Sequence, residues 1–136
     1  MKKILLILSV SILSGCSTFK DLSDAYLMKY DPNEYQLITD IRSTASLSKT
    51  HCDNADISNA NSVEISKKTY HFKNFAQHLP HNDKVVSASS ELDKIAQGLT
   101  LQYKKGNVSP IFCKLKFENI EKSAEEMQKT IGAKPR

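Results

Sequence analysis

Cys113, Phe117, Ile120, Ala124, Met127 and Ile131 recur in alternating steps of four and three residues. An apolar stripe with that period belongs to one face of a helix, and it is too long for a typical strand. Ser109-Pro110 stands at its head, an N-cap followed by a residue suited to the first helical position. A competing pattern lies inside the same stretch. Ile111, Cys113, Leu115 and Phe117 alternate with Phe112, Lys114 and Lys116, as a half-buried strand would. Val63 and Ile65, then Tyr70 and Phe72, alternate as well. The continuous stripe favours an all-α fold, with an α+β domain as the alternative.

Three more helices are expected upstream. Asp31-Pro32-Asn33-Glu34 places an N-cap acid, a proline and a glutamate in capping-box order. Ile38, Ile41, Ala45 and Cys52 then follow at helical spacing, giving a first helix over 32–51. The stretch from Asp53 to Asn61 reads as a loop, because its Asn, Asp and Ser side chains compete for backbone hydrogen bonds. Asn61 and Glu64 form a second capping pair. The helix after it carries Ile65, Phe72, Phe75, Ala76 and Leu79 on one face and stops at Pro80. A third helix starts near Asn82 with Val85, Ala88, Leu92, Ile95, Leu99 and Gln102 as its seam. Lys104-Lys105-Gly106 closes it with cations and a glycine.

The chain opens Met1-Lys2-Lys3, followed by a mostly apolar run from Ile4 to Leu13. A basic start and about ten apolar residues make a secretory signal, too short to cross a bilayer. Leu13-Ser14-Gly15-Cys16 closes it. This segment resembles the lipobox of bacterial lipoproteins, a likeness confined to residues 1–16. The resemblance implies cleavage between Gly15 and Cys16, a diacylglyceryl group on the Cys16 sulfur and acylation of the new N-terminus. Several acyl chains on one residue hold a protein to a membrane far more firmly than one. In Gram-negative members an aspartate after the cysteine favours the inner membrane. Ser17 stands here, which implies the outer membrane, facing the periplasm.

The expected organisation is a signal peptide over 1–15, a lipidated N-terminus and tether over 16–30, a helical domain over 31–131, and a frayed tail over 132–136. One domain fits that length. The formal net charge of +4 falls further once Lys2 and Lys3 leave, too mild for the basic stripe of a nucleic-acid binder. With Cys16 spent on lipid, Cys52 and Cys113 remain. Outside the cytoplasm such a pair usually oxidises, although two buried thiols are the alternative. In an up-down-up-down bundle, the first helix ends and the fourth begins at the same end, which brings these two cysteines together. Lys49, Lys104, Lys105, Lys114 and Lys116 belong to that end too, distal to the tether. They form a candidate basic surface for an acidic envelope partner or cell-wall carboxylates, or else merely a solvated one.

Catalytic signatures are missing from the sequence. It has no Gly-x-Ser-x-Gly elbow, no Gly-rich phosphate loop, no His-Glu-x-x-His and no haem attachment motif. His51, His71, His78 and His81 have no diagnostic ligand spacing, so neither metal nor cofactor is expected. The reading is a non-enzymatic envelope lipoprotein whose helical domain presents a binding or structural surface. The alternative is an exclusion, immunity or inhibitor-type lipoprotein blocking a specific phage, conjugation or hydrolase partner.

Overall fold

The computed structural model describes residues 28–136. The segment expected to be a signal peptide, Cys16 and most of the expected tether lie outside the described residues. Those described form four helices in chain order and no strand: α1 Pro32–Lys49, α2 Ala55–Gln77, α3 Asp83–Lys105 and α4 Pro110–Gly132. The alternating segments around Val63, Tyr70 and Ile111 are therefore all helical, and the fold is an all-α bundle.

Each helix packs against two neighbours. α1 lies on α4 and α2, and α3 lies on α2 and α4. This ring is the up-down-up-down arrangement that short connections enforce. Ile38, Ile41, Ile65, Phe72, Leu92, Leu99, Phe117, Ile120 and Ile131 fill the centre, each essentially sealed from solvent. The α4 stripe from Cys113 to Ile131 is buried throughout, as its spacing requires.

Local chemistry sets the helix starts. The Asp31 carboxylate accepts from the backbone N–H groups of Asn33 at 2.8 Å and Glu34 at 2.9 Å. Ser109 caps α4 by accepting from the Phe112 N–H at 3.2 Å. Glu34, expected to complete a capping box, turns into the protein instead and is 0% exposed.

Other expectations are corrected. α1 stops at Lys49, and the chain turns through Thr50 and His51 before Cys52. Residues 53–61 are mostly helix, because Asn54 caps α2 by accepting from the Ile57 N–H at 3.0 Å. Ser58 and Ser62 then extend the buried face that Ile65, Thr69, Phe72 and Ala76 continue. The α3 seam is also rotated. Ser89, Asp93 and Ala96 join Val85, Leu92 and Leu99 in the interior, while Ala88 and Gln102 are exposed. The tail is held, not frayed. Lys134 is buried, and the Tyr30 N–H donates to the Pro135 carbonyl at 2.8 Å.

Polar bonds join α2 to α3 along their length. The Tyr103 hydroxyl donates to Ser58 Oγ at 2.7 Å. Thr100 donates to the Ser62 carbonyl at 2.7 Å and accepts from Ser66 at 2.7 Å. Asp93, 2% exposed, accepts from Thr69, Gln97 and Lys73. Such satisfied groups fix the register between helices, since a slip would leave buried atoms unpaired.

Candidate functional site

The chain order puts the C-termini of α1 and α3 and the N-termini of α2 and α4 at one end of the bundle. Cys52 and Cys113 are disulfide-bonded there, with Cα atoms 5.7 Å apart. The bond ties the α1–α2 connection to the first turn of α4. Both residues are buried, so the bridge lies beneath the surface of the tip.

The five lysines assigned to this end do share it, but they divide into two groups. Lys49 donates to Glu121 at 2.7 Å, linking α1 to α4. That bond holds the Glu121 carboxyl below its usual pKa, against the opposing effect of burial. Lys114 donates to Asp53 at 3.2 Å, across from α4 to the residue beside Cys52. Lys104 and Lys105 close α3, where cations complement the helix C-terminus. Lys116 lies with its Nζ 5.3 Å from the centre of the Phe112 ring. Among the described residues, no carboxylate comes within ion-pairing distance of Lys104, Lys105 or Lys116.

The first turns of α4 at this end also expose apolar side chains. Ile111 is 73% exposed, Leu115 54% and Phe112 37%. Ile111 and Leu115 are one turn apart on the exposed face of α4. The sequence contained the signal in its alternating reading of 111–117, where apolar residues exceed what one buried helix face can absorb.

The opposite end is closed by charge. Lys134 Nζ donates to Glu34 Oε2 at 2.6 Å and to Asn82 Oδ1 at 2.7 Å. Asn82 Nδ2 donates to Glu34 Oε1 at 2.5 Å and to the Ala76 carbonyl at 3.1 Å. This triangle joins the start of α1, the α2–α3 turn and the chain segment after α4. The turn also holds His81 at φ 55°, the left-handed region. A cleft of about 430 Å³ beside it is lined by Tyr30, Leu79, His81 and Lys134, among others. Its buried polar atoms already have partners within the protein.

No family model, curated protein or solved structure matches the chain. The assignment of a site thus rests on these residues alone.

The histidines do not converge. His51, His71 and His81 are exposed, and His78 Nδ1 is 2.7 Å from the Asn74 carbonyl. Among the described residues, no group of three or more His, Cys, Asp or Glu side chains is placed to hold a metal ion. No described helix is long and apolar enough to cross a membrane. The tip thus combines exposed apolar side chains with cations that have no carboxylate in reach among the described residues.

Proposed function

We propose that this chain is a non-enzymatic lipoprotein of the cell envelope. It is held by lipid on Cys16 to the outer membrane, on the periplasmic side, and presents a compact helical domain to other envelope components. The observation that carries this reading is Leu13-Ser14-Gly15-Cys16 at the close of a basic-then-apolar start. The fold is consistent with the role. The chain reaches the domain at Tyr30, at the end opposite the disulfide, so an anchor upstream leaves the tip turned away from it.

An anchor also explains why a small recognition domain can suffice. Confinement to a surface raises the effective concentration of any partner in reach, so modest contacts produce high occupancy. A disulfide suits a domain working outside the reducing cytoplasm.

Mass spectrometry of protein made in its native host tests the proposal. The expected product begins at Cys16 and carries the mass of a diacylglyceryl group plus an amide-linked acyl chain. Metabolic labelling with palmitate should be lost in C16S. A product with an unmodified Cys16 sulfur, or one that retains Met1, overturns it.

A further inference from the structure

The corner where α3 ends and α4 begins combines apolar side chains left in water with cations that ion-pair with nothing among the described residues. Ile111, Phe112 and Leu115 expose large apolar side chains within the first two turns of α4. Lys116 holds its Nζ over the Phe112 ring, and Lys104 and Lys105 end the neighbouring helix α3; among the described residues none of the three has an acidic partner, whereas Lys49 and Lys114 at the same end are paired. Exposed apolar groups rimmed by polar ones mark interaction surfaces.

The charge restricts the occupant. A second copy docking tip to tip would set three unpaired cations against the same three, which is repulsive. A partner must offer negative charge and apolar depth together. Ile111 and Leu115 are largely exposed on the first turns of α4, and the lysines have long flexible stems. Apolar side chains that enter the acyl boundary while lysine ammonium groups stay among phosphates form the usual chemistry of an interfacial helix face. A fluid anionic surface also demands no matching shape from a protruding corner.

We propose that this corner docks on an anionic phospholipid membrane other than the one holding the lipid anchor. The direction follows from the fold and rests on the anchoring reading above. The tether arrives at Tyr30, at the far end of the bundle, and the 23 residues of α3 separate the two ends by about 35 Å. The domain then bridges two surfaces, one gripped by acyl chains and the other touched reversibly by the tip.

Vesicle clustering tests this. The full mature lipidated chain is reconstituted into phosphatidylcholine vesicles and mixed with acceptor vesicles containing phosphatidylglycerol, with light scattering and lipid energy transfer as readouts. Clustering is expected with these acceptors, not with phosphatidylcholine acceptors, and should weaken as salt rises. K104Q, K105Q and K116Q should each weaken it about fivefold, and I111S/L115S should abolish it. Lys104, Lys105, Ile111 and Leu115 are exposed and Lys116 is half-buried without a bonded partner among the described residues, so the fold should survive, and circular dichroism checks that. Failure to cluster anionic acceptors overturns the proposal and turns the tip toward an acidic protein. Equal clustering of neutral acceptors overturns it, as does clustering of donors alone, which would mean self-association. Should the protein not float with the donors, the anchoring reading falls. Co-sedimentation of the same protein and its variants with anionic vesicles would then decide the tip by itself.

Discussion

Lys134 places its ammonium group where water is nearly excluded, between Glu34 and Asn82. Two charges are desolvated there, and the geometry offsets that penalty only while both remain. K134M should therefore destabilise the domain by about 3–5 kcal/mol, because the Glu34 carboxylate is left buried and unpaired. The double variant E34Q/K134M should recover much of that loss, since a neutral amide can keep a bond to Asn82. Urea denaturation of the three proteins checks both outcomes; equal stability of K134M and the parent would show that the triangle contributes nothing. None of this was legible in the sequence. A lysine two residues from the chain's last one reads as solvated, and its partner Glu34 lies 100 positions away. Glu34 itself was read as part of a cap, the role its spacing from Asp31 suggests. Local spacing identifies a cap, but only the folded chain shows that three helix ends meet at one carboxylate.

At the scale of helices, α3 contains a residue that weakens it without evident need. Gly98 sits in the helix interior, and a Cβ built there meets nothing within 4 Å. Replacing it by alanine reduces the freedom of the unfolded chain and adds no clash. G98A should raise stability by about 0.5–1 kcal/mol, read as a higher thermal midpoint with an unchanged far-ultraviolet spectrum. The strong stripes were legible here. α4 showed nearly all of its buried face in sequence because Cys, Phe, Ile, Ala and Met all count as apolar; only Gln128, which donates to Thr39, escaped the pattern. α2 did not, because Ser58, Ser62 and Thr69 occupy core positions. Their hydroxyls are satisfied by backbone carbonyls and by α3, so they pack like small apolar groups while reading as loop formers. The α3 seam was displaced for a related reason. Ser89 and Asp93 lie inside because Val86, Thr69 and Lys73 supply their partners. A hydrophobic periodicity cannot register a buried aspartate whose cation comes from another helix.

For the molecule as a whole, the disulfide is the strongest constraint outside the core. It closes a sequence separation of 61 residues, and a loop of that length restricts the unfolded ensemble by about 4 kcal/mol in the chain-entropy model. Reduction, or C52S/C113S, should lower stability by roughly that amount while leaving the helices in place. Denaturant titration with and without reductant measures it. The architecture and the cysteine pairing were legible together, since four antiparallel helices leave few other places for Cys52 and Cys113. The exposed corner of Ile111, Phe112 and Leu115 was visible only as an ambiguity, an apolar excess that strand and helix readings shared.

The hydrogen bond from Tyr30 to Pro135 has a practical corollary. It brings the start and the end of the helical domain side by side, with the Arg136 guanidinium 5.4 Å from the centre of the Tyr30 ring. A fluorescent reporter fused after Arg136 would thus mark the root of the molecule and leave its crown unobstructed. A small dye at Asn107, in the turn between α3 and α4, would mark the crown, and the pair would give a ruler for the domain's orientation in the cell.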